Sequence, residues 1–72
     1  MRLKVGDKGI IIGLEGGRSF QRRLRTMGIR EGKTVKLITK HPIGGPLVIE
    51  IAGRSTTIGR GMAERILVRK VP

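Results

Sequence analysis

Ser19-Phe20-Gln21-Arg22-Arg23-Leu24-Arg25-Thr26-Met27-Gly28-Ile29 is the stretch around which the rest of this chain has to be arranged. Phe20, Leu24 and Met27 recur at helical spacing and so share one face of a helix. Ser19 is placed to cap its start, the hydroxyl accepting a hydrogen bond from a free backbone N–H. Gly28 is placed to supply the left-handed residue that ends it, with Ile29 folding back onto Leu24. Arg22, Arg23 and Arg25 project from the remaining faces, and no acidic residue lies inside the helix to neutralise them. The stretch predicts one short helix, apolar on one side and cationic on the other.

Everything around it reads as strand. Twelve glycines in 72 residues is one in six (12/72), well above the usual ~7%, and they punctuate short β-branched runs. Lys8–Leu14 is a first strand, with Ile10 and Ile12 on one face and Ile11 on the other. After the helix, Glu31-Gly32 turns the chain into a strand over residues 33–40, where Val35 and Leu37 alternate with Lys36. His41-Pro42-Ile43-Gly44-Gly45-Pro46 is an exposed hairpin loop. In the strand that follows, Leu47, Ile49 and Ile51 point one way, and Gly53-Arg54 supplies a Gly-first pair for a tight hairpin. Residues 55–60 return, residues 61–65 make a single helical turn, and Ile66–Val71 is the last strand. Five short strands predict an all-β fold, a small and strongly bent barrel, because closure leaves few open edges and shares a thin core. The helix plugs one end of it with Phe20, Leu24 and Met27. Residues 1–72 form a single domain in this reading.

The composition narrows function by subtraction. The chain has no Cys, Trp or Tyr, and His41 is its one imidazole, so no Cys–His or Ser–His–Asp arrangement is available. A domain of this size buries only about 60% of the surface its unfolded chain exposes, leaving little room for a deep cleft beside the core. The reading is a non-enzyme. No apolar run approaches a membrane span or a secretory core, and the lack of cysteine fits a reducing cytosol. Sixteen Lys and Arg against five Asp and Glu give a net charge of +11, which makes attraction to an anionic partner the default expectation.

Several motifs invite sharper readings. Gly13-Leu14-Glu15-Gly16-Gly17-Arg18-Ser19 runs from strand to helix as a phosphate loop does. Its glycines nevertheless enclose three residues where that loop needs four, and no Lys precedes the Ser, so it reads as a connector. His41 and the scattered acids Asp7, Glu15, Glu31, Glu50 and Glu64 offer no convergent ligand set, so neither metal nor cofactor is expected. Leu24 and Ile29 read as core. Phe20, Met27 and Met62 read as core first, with a partner surface as the other reading. Nucleic-acid binding stays open through phosphate contacts, although Phe20 is the one aromatic available for stacking. Attachment to acidic lipid is a weaker third reading.

Taken in order, Arg23-Leu24-x-x-Met27-Gly28-Ile29-x-x-Gly32, Gly45-Pro46 and Ile58-Gly59-Arg60-x-x-Ala63-x-x-Ile66-x-Val68 resemble the FeoA family, small cytosolic proteins of bacterial ferrous-iron uptake. The likeness runs from about Leu3 to Val71. It implies an SH3-like barrel with an inserted helix. It also implies a regulatory, non-catalytic role docked on the cytosolic GTPase domain of the FeoB permease, reaching the membrane only through that partner. The partner-binding candidates are Phe20, Arg22, Arg23, Leu24, Arg25 and Met27 on the helix, with His41, Pro42 and Pro46 in the loop. Catalytic and metal residues are expected to be none, and the alternative is a small basic barrel that binds nucleic acid.

Overall fold

A computed structural model describes residues 1–72. The elements run β1 (Lys8–Leu14), α1 (Arg18–Thr26), β2 (Thr34–Lys40), β3 (Leu47–Ile51), β4 (Arg54–Ile58), α2 (Arg60–Glu64) and β5 (Ile66–Val71). The strands form one antiparallel sheet in the order β4-β3-β2-β1-β5. Alternation does the sorting. Val35 and Leu37 of β2, Leu47 and Ile49 of β3, and Ile11 of β1 point into one core, while Lys36 between them stays partly solvated. Leu3, Leu24, Ile29, Ile58, Ala63 and Ile66 complete that core, and no polar side chain is buried in it.

Two irregularities bend the sheet around these side chains. The β1–β5 register slips between Ile11 and Gly13, and the β2–β3 register slips between Leu37 and Thr39. Each bulge adds local twist and curvature. The first leaves Ile12 out of the ladder and exposed. No ladder joins β4 to β5; the short α2 connects them instead, so both remain edge strands.

The stop of α1 is built as its sequence predicts. Gly28 takes φ 86°. The Gly28 N–H donates to the Arg25 carbonyl at 3.0 Å and the Ile29 N–H to the Leu24 carbonyl at 2.9 Å. These are the two bonds of a Schellman motif, and Ile29 is thereby returned to the core against Leu24. The start differs. Gly17 is the N-cap residue and no side chain caps the helix; Ser19 lies inside the first turn instead. The left-handed Gly16 (φ 108°) completes the connector and lets the chain enter α1 two residues sooner than a Ser19 cap requires.

The β3–β4 turn also shifts by one residue. Ile51 pairs with Arg54, so the two-residue loop is Ala52-Gly53 rather than Gly53-Arg54. Both loop residues have positive φ, 53° and 78°, the type I′ geometry that matches strand twist. Ala52 is the one non-glycine residue in that region.

Candidate functional site

The Schellman stop aims the last turn of α1 at the β3–β4 hairpin. Val35 pairs with Ile51, so the chain entering β2 and the chain leaving β3 lie side by side at that end of the sheet. Between them lies a groove of about 550 Å³, lined by the end of α1, by Arg30 and Lys33 ahead of β2, by Ile51 and Ala52, and by the start of β4 at Arg54. Met27, 38% exposed, and the half-buried Ile51 supply its apolar surface. Arg25, Arg30, Lys33 and Arg54 supply its charge.

Arg25 is not free there. Its Nη2 donates to both carboxylate oxygens of Glu31 at 3.0 Å, and its Nη1 donates to the Gln21 Oε1 at 3.4 Å. The acid that neutralises this helix comes from outside it, three residues past the glycine stop. Glu31 is held below the ordinary carboxylate range, first by its own backbone N–H and further by the Arg25 guanidinium, against the opposing pull of partial burial. The chain forms one other ion pair, Lys70 with Asp7 at 3.5 Å. Arg30, Lys33 and Arg54 have no carboxylate partner. A shallow notch of about 250 Å³, lined by Arg18, Gln21, Arg22 and Arg25, continues the cationic surface along α1.

The sequence candidates fall into different places. Arg22 and Arg23 are exposed on α1. Leu24 is wholly buried, so as a partner contact it is corrected to core: its helical spacing from Phe20 sets the inner face. Phe20 is half-buried against that core, with the Arg65 guanidinium 5.3 Å from its ring centroid and Gly16 beside its edge. Met27 leaves the core for the groove, because it is the C-cap residue and the chain turns away there. Met62 packs against the core.

His41, Pro42 and Pro46 are exposed in the 41–46 loop, at the opposite end of the β2–β3 ladder from the groove. The structure does not bring them to the groove. His41 Nδ1 accepts from the Ile43 N–H at 3.2 Å, and the Arg60 Nη2 donates to the His41 carbonyl at 3.2 Å. Sequence reading missed Arg30, Lys33, Ile51 and Arg54. The signal was the strand register: the β2–β3 ladder sets Val35 beside Ile51, 16 residues on, and the two-residue turn at Ala52-Gly53 brings Arg54 back to the same end.

No group of three or more His, Cys, Asp or Glu side chains converges on a point. No helix is long and apolar enough to cross a membrane.

Comparison with known proteins places this architecture. A model described as the FeoA domain matches residues 1–70. A Methanocaldococcus jannaschii protein provisionally named Fe(2+) transport protein A is 35% identical over 65 residues, 90% of this chain and 77% of that protein. A Porphyromonas gingivalis protein, described as a fusion of Fe(2+) transport protein A with the Fe(2+) transporter FeoB, is 29% identical over 69 residues. That match takes in 96% of this chain and 8% of the fusion. A crystal structure of an iron uptake regulatory protein, FeoA, superposes with a TM-score of 0.90 at 37% identity, over 97% of this chain and 92% of that one. Stenotrophomonas maltophilia FeoA, described as a procaryotic SH3 domain protein complexed with zinc, shares the fold at a TM-score of 0.79 and 22% identity, over 94% and 85% of the two chains. The SH3-like architecture expected from the sequence is therefore the one adopted, and the chain belongs to the FeoA family of ferrous iron transport.

Proposed function

We propose that this chain is a non-catalytic accessory protein of ferrous iron uptake that works in the cytosol by docking on the GTPase domain of an FeoB-type permease. The observation that carries this reading is the Porphyromonas gingivalis fusion, in which a stretch similar to this chain shares one polypeptide with an FeoB transporter. Fusion holds two partners at a high effective concentration, which is useful where separate chains must meet. The geometry supports contact rather than chemistry. A thin core is sealed, the lone imidazole sits in a loop bonded to that loop's own backbone, and the cations are spread over a surface. The exposed Arg22 and Arg23 of α1 meet an acidic patch of the permease domain, because guanidinium forks pair carboxylates, while Arg25 beside them is held by Glu31. The 41–46 loop is the second candidate contact.

The test is a titration of the purified permease GTPase domain with this chain. Saturable binding is expected, weakened about tenfold or more by Arg22→Glu with Arg23→Glu. Absence of binding by the unaltered chain defeats the docking reading, and binding indifferent to the double reversal moves the contact off α1. Nucleic acid is the control: affinity for DNA or RNA that is tight and falls linearly with log salt supports the alternative of a nucleic-acid-binding barrel.

A further inference from the structure

The groove beside the end of α1 joins two features that a single kind of ligand satisfies together. Its apolar surface is small, made chiefly by Met27 and Ile51. Its rim carries Arg30, Lys33 and Arg54 without a carboxylate partner, while Arg25 is already engaged by Glu31. Like charges gathered around one concavity repel one another, and an anion placed among them relieves that repulsion. We propose that this groove docks an acidic segment of a partner protein, which lays an aliphatic side chain on Met27 and Ile51 and its carboxylates on Arg30, Lys33 and Arg54.

The other occupants fit less well. A second copy of this chain brings the same excess of cations, with a net charge of +11 on each side. A nucleic-acid strand supplies anions, but its bases want aromatic platforms, and Phe20 lies half-buried beneath Arg65, outside the groove lining. An aliphatic anchor is what a methionine surface accommodates, since its unbranched thioether adapts to the shape it meets. Arginine at two of the three free rim positions favours carboxylates, which its fork binds in pairs. The assignment rests on the docking reading above and adds to the exposed α1 arginines a second contact, in the groove beside the end of that helix.

The experiment uses the full chain, isotopically labelled, and two probes: a short peptide alternating Glu with Leu, and the permease GTPase domain. With the peptide, chemical-shift changes gather at the Met27 and Ile51 methyl groups and at the Arg54 amide. Lys33→Glu with Arg54→Glu weakens peptide binding about tenfold or more, and so does replacing the peptide's Leu by Ser. Spectral dispersion establishes that the variant is folded, and the shift map of the unaltered chain stands whether or not it is. Shifts that gather on Arg18 and Arg22 overturn the assignment, as does a DNA oligonucleotide that displaces the peptide while perturbing the same methyl groups. The two readings fail differently. If the permease domain binds the Lys33/Arg54 variant as tightly as the original, the groove assignment falls and docking survives. If the peptide seats in the groove but the permease domain does not bind, docking on that permease falls and the groove survives.

Discussion

At one end of the β2–β3 ladder Val35 pairs with Ile51, and the chain turns back through Ala52 and Gly53; at the other Lys40 pairs with Leu47, and the turn takes residues 41–46. The longer loop looks the more available of the two, with His41, Pro42 and Ile43 exposed. Part of it, however, is already tied down. The His41 N–H donates to the Pro46 carbonyl at 3.3 Å, the Ile43 N–H to His41 Nδ1, and Arg60 to the His41 carbonyl. At the short-turn end, Arg30, Lys33 and Arg54 surround Met27 and Ile51 with no carboxylate partner of their own. Exposure and availability are thus different properties. A pinned loop that carries no Lys, Arg, Asp or Glu offers a partner little charge to pair with, whereas unmatched charge around an apolar surface is an invitation to a partner. The comparison ranks the groove end above the loop as the place where this chain is read.

The largest way to disturb the groove end is to remove what holds α1 down. Leu24 is the helix's only fully buried residue, and Leu24→Ala is expected to lower the free energy of unfolding by about 3 kcal/mol, a large share of the stability available to so small a domain. A urea titration measures it, and a change below about 1 kcal/mol would mean that α1 is not part of the core. Next comes the glycine stop. Gly28 sits at φ 86° with nothing within 4 Å of an added Cβ, so Gly28→Ala costs backbone strain alone, about 1–2 kcal/mol. Gly45→Ala at the loop end is a different kind of cost. Its φ is not left-handed, but an added Cβ meets His41 Cγ at 2.6 Å and His41 Cβ at 2.8 Å. A double-mutant cycle separates the two: a His41→Gly background should erase most of the Gly45 penalty and none of the Gly28 penalty.

These two glycines also show what was legible beforehand. Gly28 belongs to a local motif, and helix spacing plus one glycine placed its left-handed φ and the return of Ile29 correctly. The first and last strands were read to the residue, because Lys8–Leu14 and Ile66–Val71 are bounded by turn signals on their inner sides. The β3–β4 turn was read one residue late, since Gly53-Arg54 is a plausible pair and nothing local says that Ala52 will accept φ 53°. Only the Ile51↔Arg54 pairing decides it, and that depends on which faces the whole sheet buries. The groove was illegible for the same reason. Arg30, Lys33, Ile51 and Arg54 have no common spacing, and they become neighbours only when β2 and β3 are in register. No acid lies inside α1, as its sequence shows, and the Arg25 counter-ion was not foreseen because it lies beyond the glycine, on a part of the chain that the Schellman turn folds back.

A smaller effect tests whether the two ends are independent. The Arg60 Nε is buried without a hydrogen-bond partner, while its Nη2 holds the His41 carbonyl. Arg60→Met discards one favourable bond together with one unsatisfied donor, so the net change in stability stays within about 1 kcal/mol. Amide exchange at His41 and Ile43 should nevertheless quicken, because the loop loses its tether to α2. Peptide binding at the groove should not change. A weakened groove in Arg60→Met would mean that the ends communicate through β3, and the ranking drawn from their separation would have to be abandoned.

The smallest expected effect is on acid stability, and it bears directly on the groove. Glu31 and Asp7 both have carboxyls held below their ordinary range, Glu31 first by its own N–H and then by Arg25, Asp7 first by the Lys4 N–H at 3.0 Å and then by Lys70. Each is more acidic folded than unfolded, so the unfolded chain binds more protons in the window between. The stabilisation is therefore complete above the unfolded values, about pH 4–4.5, and is lost as pH falls through the lower folded ones. Both groups are near solvent, so the change in denaturation midpoint is modest. Glu31→Gln should separate its share: less stable than the unaltered chain at neutral pH, and converging with it in acid. The same variant frees Arg25 and raises the net charge from +11 to +12 (one acid fewer), which should tighten the acidic peptide while the fold weakens. Stability and binding moving in opposite directions from one carboxyl is a signature that a merely structural ion pair does not produce. If both fall together, Glu31 serves only to close the helix, and the cations beside it lose their claim to a ligand.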